Sequence, residues 1–198
     1  MCEIAEGLWR WTARHPDWKP SDDWDAEVGC VYCETPGAVV LVDPLAPDEP
    51  SEQERLWRAL DRDVERLARP VAVLLTVHWH QRSSAETAAR YGGTVWRAGD
   101  DPAALPEGVE AHPGGFDEEV LFWLPGHRAL VAGDVILGKE GGGLRLCPES
   151  WLPAGGGHRA LRGTLRPLLA LPIERVIVSH GEPVLEGGHA ALEPLLAA

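Results

Sequence analysis

Residues 73–84 read VLLTVHWHQRSS, and this stretch points to both the fold and the site. Apolar residues run almost without interruption up to Val77, which is typical of a strand buried on both faces of a sheet. His78 and His80 follow at once, and a His-x-His pair after a buried strand indicates a metal site. Arg82 and Ser83 come next, where a larger metal cluster would need further ligands. The stretch therefore predicts a metal site that lacks part of its ligand set.

The composition is that of an ordinary globular protein. A chain of 198 residues, 44% hydrophobic and 25% charged, suits one compact domain covering residues 1–198. The net charge of -13 argues against a nucleic-acid partner, which would need clustered lysine and arginine. We find neither a signal-peptide pattern nor an apolar run that could span a bilayer. We therefore expect a cytoplasmic protein that binds a small-molecule substrate and has no membrane partner.

Two of the four cysteines form the motif Cys30-Val31-Tyr32-Cys33. The motif lies in a predicted strand, where side chains three residues apart point to opposite faces. No second pair completes a zinc site. We therefore interpret Cys30 and Cys33 as structural cysteines.

Hydrophobic periodicity predicts strands and helices that alternate along the whole chain. Capping boxes at Ser51/Glu54 and Ser83/Glu86 begin two of the helices. The glycine-rich region 138–157 is predicted to be a loop. The predicted strands are residues 28–32, 38–42, 71–77, 94–98, 120–124, 129–132 and 175–179, and two later helices are residues 161–171 and 190–196.

Imidazole and carboxylate groups follow three of these strands at their carboxyl ends. His78 and His80 follow the strand at 71–77, Asp134 follows the strand at 129–132, and His180 follows the strand at 175–179. The carboxyl ends of strands are where α/β sheets place their sites. The coincidence of three such ends predicts a functional site there.

Two further histidines are candidates for a third ligand. His127 lies in the turn between two hairpin strands, about seven strand residues or roughly 23 Å from Asp134. His112 precedes the first of these strands and so lies at the same end as Asp134. We therefore predict that His112 joins the site and that His127 does not.

With these motifs in order, the chain resembles the metallo-β-lactamase fold superfamily. The resemblance covers the chain from about Val28 to its end and implies an α/β fold, an αββα sandwich of two mixed sheets flanked by helices. That family carries a His-x-His-x-Asp-His motif, a histidine on a glycine-rich loop, a Gly-Asp pair, a late histidine and an early strand-end aspartate. The similar residues here are His78, His80, His112, Gly133, Asp134, His180 and Asp43.

The chain departs from the family at the second half of the main motif. The aspartate and second histidine that bind a second metal are Arg82 and Ser83 here. A fixed guanidinium charge would repel a second metal ion, so we expect one metal only. The resemblance implies that this metal, zinc or alternatively iron, is held by His78, His80, His112 and Asp134.

The resemblance implies a metal-dependent hydrolase of a small ester, thioester, lactone or related compound. Asp134 would ligate or orient a metal-activated water, Arg82 would bind an anionic group in place of the second metal, and His180 would carry a proton or contact substrate. One alternative is a non-catalytic protein in which Arg82 pairs with Asp134. Another is a mononuclear non-haem iron enzyme, since two histidines and a carboxylate also suit Fe²⁺.

Aromatic residues cluster near the start of the chain. In the resembled fold the first hairpin covers the metal edge, so His15 and Trp18, together with Trp79, would form an apolar wall for substrate. The alternative is that these rings only pack against the core or its rim.

Overall fold

The strands of the N-terminal half of the chain form the first of two large β-sheets. The computed structural model describes residues 1–116 and 118–197. The six strands of this sheet lie side by side in sequence order, with antiparallel pairing up to the fourth strand and parallel pairing after it. They are β1 (Cys2–Ala5), β2 (Leu8–Arg14), β3 (Glu27–Glu34), β4 (Val39–Val42), β5 (Val71–Leu74) and β6 (Thr94–Trp96).

The second sheet contains four strands from the later part of the chain. They are β7 (Glu110–Pro113), β8 (Val120–Leu124), β9 (Ala129–Ala132) and, after a separate hairpin of β10 (Ile136–Gly138) and β11 (Leu144–Leu146), β12 (Arg175–Val178). Their order is β12-β9-β8-β7, and only the β12–β9 pair is parallel.

Helices cover the outer face of each sheet. The helices are α1 (Pro50–Leu67), α2 (Ser84–Tyr91), α3 (His158–Leu165) and α4 (Gly188–Ala197). Apolar residues of α1 pack on the first sheet and those of α3 and α4 on the second, while a third cluster fills the space between the sheets. This arrangement confirms the predicted αββα sandwich of two mixed sheets.

The parallel pairs bring four strand ends to one edge of the sandwich. β4 and β5 run in parallel in one sheet, and β9 and β12 run in parallel in the other. At this edge the Gly29 amide donates to the Ser179 carbonyl at 2.7 Å, which links the two sheets directly. The polar residues that follow the four strands therefore meet at a single edge.

Several local predictions differ from the structure. The cap of α1 is Glu49, which accepts from the Glu52 amide, rather than Ser51. Ser83 makes no capping bond, because its hydroxyl accepts from the Ala46 amide instead. The predicted loop at 138–157 contains most of the β10–β11 hairpin, and the predicted helix at 161–171 changes to a 3-10 turn over Arg166–Ala170.

The cysteines lie as the strand pattern predicted. Cys30 is buried in the cluster beneath α1, and Cys33 is buried between the two sheets. Burial raises the pKa of Cys30 to about 11 and that of Cys33 to about 12, so both remain neutral thiols at physiological pH. Among the described residues, no helix combines the length and the apolar character that crossing a membrane requires.

Candidate metal centre

Three buried donors meet where the strand ends converge. His80 follows β5, Asp134 follows β9 and His180 follows β12, and each is at most 7% exposed. One ligand atom from each lies within 4.8 Å of the others. The two histidine Nε2 atoms are each 3.3 Å from Asp134 Oδ1. Ligand atoms about 2.1 Å from a tetrahedral metal lie about 3.4 Å apart, so this group fits one metal ion.

A carboxylate behind His80 fixes the direction of its ring. His80 Nδ1 lies 2.9 Å from Asp43 Oδ2, and the Thr76 amide donates to Asp43 Oδ1 at 2.9 Å. The Thr76 hydroxyl also contacts Asp43. An imidazole held through Nδ1 presents Nε2 to the centre, which is the usual arrangement of a metal-binding histidine.

The charge on His80 depends on the two carboxylates beside it. Burial and the Arg82 charge lower its pKa, but Asp43 and Asp134 outweigh them and raise the pKa to about 9. His80 is therefore an imidazolium at neutral pH in the metal-free protein. Its Nε2 must lose this proton before it can bind a metal, so metal uptake releases a proton.

Asp134 is held so that one oxygen faces the two histidines. Its Oδ2 accepts from the Trp79 indole at 2.9 Å. Its Oδ1 is buried and faces the two histidine Nε2 atoms, each at 3.3 Å. Burial would raise the pKa of Asp134, but His80 and His180 hold it well below its usual range. A buried, ionised oxygen between two imidazole nitrogens is the kind of atom that a metal ion would bind.

A second buried carboxylate supports the backbone at Asp134. Glu119 Oε1 accepts from the amides of Asp134 and Val135, at 2.9 and 3.1 Å. Gly133 allows this close approach, since a Cβ there would lie 2.5 Å from the Thr76 hydroxyl and 3.0 Å from Glu119 Oε1. Burial and repulsion by Asp134 raise the pKa of Glu119 to about 8.

The raised pKa of Glu119 predicts a pH-dependent stability in the metal-free protein. Between its ordinary value near 4.5 and about 8, the folded state holds a proton that the unfolded state has lost. Stability from this group is therefore full below pH 4.5 and falls as pH rises, by up to about 1.4 kcal/mol per unit. Glu119→Gln keeps an acceptor for both amides but removes the titration.

Urea unfolding of the metal-free protein at pH 5 to 8 measures this effect. The wild-type free energy of unfolding should fall more steeply with pH than that of Glu119→Gln. Parallel pH profiles would show that Glu119 does not titrate in this range. Because Asp134 and His80 act on the charge of Glu119, the difference between the two profiles reports Glu119 together with these interactions.

Arg82 lies at the edge of the sandwich, where its terminal nitrogens donate to other parts of the chain. Its Nη1 donates to the carbonyls of Gly29 and Asp43, each at 3.0 Å, and its Nη2 donates to the Ser179 hydroxyl at 2.7 Å. Arg82 therefore joins the ends of β3, β4 and β12. Among the described residues it forms no ion pair with Asp134, so the pairing considered for a degenerate site is not formed.

A cleft of about 470 Å³ opens above the centre. The segment between β2 and β3 contributes His15, Asp17, Asp23 and Trp24, so the first hairpin does cover this edge. The remaining lining residues are Val28, Trp79, His80, Arg82, Phe116, Asp134, Trp151 and His180.

Two of the predicted metal ligands are not brought into the group. β5 ends at Leu74, and in the turn that follows His78 is exposed while Trp79 contacts Asp134. His112 lies on β7, with Nε2 3.7 Å from Glu110 Oε2. This nitrogen is buried without a hydrogen bond to any described residue, but His112 is not in the group whose ligand atoms lie within 4.8 Å of one another. His180 takes the third place instead.

The structure also shows where the predicted apolar wall of His15, Trp18 and Trp79 lies, and where His127 lies. His15 and Trp79 line the cleft, whereas Trp18 does not. The Trp18 indole donates to the Trp24 carbonyl at 2.8 Å, so it supports a ring that does line the cleft. His127 lies in the turn between β8 and β9, with Nε2 3.0 Å from the Glu34 carbonyl. It therefore lies away from the centre, as the strand length predicted.

Sequence reasoning missed Thr76 and Glu119. Thr76 reads as part of a buried apolar strand, and its contact with Asp43 depends on the parallel β4–β5 pairing. Glu119 follows another acidic residue and reads as exposed, yet it is 2% exposed. No local pattern distinguishes it from a surface glutamate.

Comparisons with known proteins identify the fold. No protein-family model and no curated protein matches the sequence. A metallo-beta-lactamase from Erythrobacter litoralis in a mono-zinc form is 20% identical, with a TM-score of 0.62 over 98% of this chain and 93% of that one. The B3 metallo-beta-lactamase BLEG-1 is 17% identical, with a TM-score of 0.60 over 96% of this chain and 100% of that one.

A third similar structure is a metallo-beta-lactamase family protein from Thermus thermophilus. It is 17% identical, with a TM-score of 0.53 over 98% of this chain and 80% of that one. All three alignments cover nearly the whole chain. The chain therefore adopts the metallo-β-lactamase fold that its sequence motifs predicted.

Proposed function

We propose that this protein is a metal-dependent hydrolase with a single metal held by His80, Asp134 and His180. The observation that carries the proposal is the convergence of these three buried donors beneath an open cleft. His80 is already oriented through Asp43, and Asp134 through Trp79. A zinc ion bound there would lower the pKa of a water ligand and polarise a carbonyl. The proposed substrate is a small ester, thioester, lactone or related compound.

The protein's own residues perform supporting tasks in this proposal. Asp43 holds the His80 ring, and Glu119 holds the backbone that carries Asp134. The rings that line the cleft exclude water from the centre and give the substrate an apolar surface. In this proposal Arg82 keeps the strand ends together and does not bind an anionic group of the substrate.

Arg82 also supports the proposal of one metal rather than two. Its guanidinium lies close enough to lower the pKa of His80, and a second divalent ion at this edge would meet the same repulsion. If the Arg82 side chain turned away from this edge, it would lose its hydrogen bonds to Gly29, Asp43 and Ser179, which would cost free energy. A second metal would have to break them.

Metal analysis and calorimetry test the proposal. Protein purified without added metal should bind about one equivalent of Zn²⁺, and the loaded protein should hydrolyse members of a panel of small esters and thioesters. Uptake near two equivalents would contradict the single-metal centre. Uptake below about a tenth of an equivalent, with no hydrolysis, would overturn the metal-dependent enzyme.

Single substitutions decide which histidines hold the metal. His180→Ala should lower zinc affinity at least about tenfold, while His112→Ala and His78→Ala should leave it nearly unchanged. His127→Ala is the control, since its ring lies in the β8–β9 turn. Loss of zinc in His78→Ala and His112→Ala, but not in His180→Ala, would restore the ligand set that the sequence predicted.

The donor set itself favours one alternative function. Two histidines and one carboxylate with open positions form the ligand set of mononuclear non-haem iron enzymes. Protein expressed with both metals available would then retain iron in preference to zinc. Its zinc form would show no hydrolysis, whereas its Fe²⁺ form would consume oxygen with a suitable substrate. A metal-loaded protein without either activity would instead indicate a ligand-binding role.

A further inference from the structure

The cleft above the metal centre carries an excess of negative charge. Its lining includes three aspartates, at 17, 23 and 134, whereas its cationic side chains in the metal-free protein are Arg82 and the imidazolium of His80. Burial and the Arg82 charge lower the pKa of His15, so this ring is neutral at physiological pH. Asp17 and Asp23 are exposed, which places them at the open side of the cleft. We refer to these two as the rim carboxylates.

Among the described lining residues, the one arginine is Arg82, whose Nε is buried. Both terminal nitrogens of Arg82 donate to protein oxygens, on Gly29, Asp43 and Ser179. Among the described residues that line the cleft, no other arginine and no lysine is present. An anionic substrate would therefore meet the rim carboxylates, with no second arginine and no lysine among the described lining residues to bind it.

Aromatic rings form much of the remaining surface of the cleft. They belong to Trp24, Trp79, Phe116 and Trp151, which we call the aromatic wall. The indole N–H of Trp151 donates to Asp23 at 2.9 Å, and that of Trp79 donates to Asp134 at 2.9 Å. A ring whose N–H donates to a carboxylate becomes more electron-rich, and its face attracts a cation more strongly.

The aromatic wall borders the metal centre directly. The ring centroids of Trp24 and Trp151 lie 5.5 and 6.0 Å from that of His180, at interplanar angles of 75° and 72°. Trp24 is held in place through its carbonyl, which accepts from the Trp18 indole. A small molecule with one group bound against these rings can therefore place another group at His80, Asp134 and His180.

We propose that the cleft binds a compound carrying a quaternary or primary ammonium group, which lies between the aromatic wall and the rim carboxylates. The proposal rests on the proposed function and names its substrate class, an ester or related acyl compound with a cationic group on one side of the reacting carbonyl. Aromatic faces and nearby carboxylates together form the usual recognition site of such cations. The carbonyl then points inward to His80, Asp134 and His180.

Binding of a matched pair of alcohols to the metal-free protein tests this proposal without any turnover. Choline and 3,3-dimethylbutan-1-ol have the same shape and differ in charge. Choline should bind at least about tenfold more tightly, as measured by calorimetry or NMR titration. Equal affinities, or no detectable choline binding, would overturn the proposal.

Charge-removing substitutions locate the binding surface. In the double variant Asp17→Asn/Asp23→Asn, the preference for choline should fall to about threefold or less. Asparagine at 23 still accepts the Trp151 N–H, so the ring keeps its place. The control is Glu65→Gln/Glu107→Gln, which removes two exposed charges that do not line the cleft. An equal fall in the control would show that only the net charge of the protein matters.

Hydrolysis of the matching acetates separates this proposal from the function on which it rests. The zinc-loaded protein should cleave acetylcholine faster than 3,3-dimethylbutyl acetate, with the difference lying mainly in KM. Equal cleavage of both esters would contradict the cation site while leaving the hydrolase intact. Selective choline binding without cleavage of either ester would support the cation site and contradict the hydrolase.

Discussion

Replacing Asp134 with asparagine should lower the zinc affinity at least about 100-fold and abolish metal-dependent hydrolysis. Asp134 Oδ1 is buried and ionised, and it lies 3.3 Å from both histidine Nε2 atoms. Asparagine fills the same volume and can still accept the Trp79 N–H. The loss would therefore report the charge of the ligand rather than a collapse of the site. Calorimetric titration of zinc measures it.

The matched control for this change is Asp48→Asn. Asp48 is exposed and lies outside the cleft, so the variant should bind zinc with wild-type affinity. Two other outcomes for Asp134→Asn would change its interpretation. Unchanged zinc affinity together with lost hydrolysis would assign the carboxylate to proton transfer rather than to metal binding. Unchanged affinity and unchanged hydrolysis would contradict the proposed centre.

Replacing Arg82 with methionine should lower the free energy of unfolding by about 3 kcal/mol. Methionine keeps the length and much of the volume of the side chain but cannot donate to Gly29, Asp43 or Ser179. Arg82 also has a positive φ of 40°, a conformation that costs energy for any side chain other than glycine. The three hydrogen bonds offset that cost in the wild type. Urea denaturation of the metal-free protein measures the loss.

Two further variants serve as comparisons for the stability of Arg82→Met. Arg82→Lys keeps the charge but cannot reach three acceptors with a planar fork, so it should lose roughly half as much stability. Arg58→Met removes an exposed arginine that pairs with Glu54 on α1 and should cost less than about 1 kcal/mol. If Arg82→Met keeps its stability but raises KM, Arg82 contacts substrate as the sequence first indicated.

Asp134 and Arg82 have different tasks at the same edge of the sandwich. The guanidinium of Arg82 supplies fixed positive charge at the edge and hydrogen-bonds three strand ends. Asp134 remains free to face His80 and His180, because its other oxygen is taken by Trp79. The result is one compact group of three donors beneath a cleft, with a structural cation beside it.

The strands and the edge that carries the site were predictable from local patterns. Continuous apolar runs identify the buried strands, and polar residues directly after them identify the edge, because parallel strands end together. The same reasoning placed His127 at the far end from strand length alone. Asp134 and His180 follow strands that form the parallel β9–β12 pair, so their convergence was predictable too.

The choice among the histidines was not predictable in this way. Side-chain direction can be read from sequence only while the chain stays in strand geometry. β5 ends at Leu74, and the turn that follows exposes His78 and brings Trp79 and His80 to the centre. The place of β7 at the sheet edge, two strands from β9, keeps His112 apart.

Local patterns in the sequence predicted the sandwich fold, the edge of the site and the departure from the resembled motif at Arg82 and Ser83. The packing of the whole chain was needed to show that Arg82 joins three strand ends, that Glu119 is buried behind Asp134, and that Trp79 donates to the Asp134 carboxylate. Local patterns record which residues are apolar and how they repeat along one segment. The partners of Arg82 and Trp79 come from segments up to 97 residues away, and packing of the two sheets brings them together. Glu119 instead meets Asp134 within the second sheet, across the antiparallel β8–β9 pair.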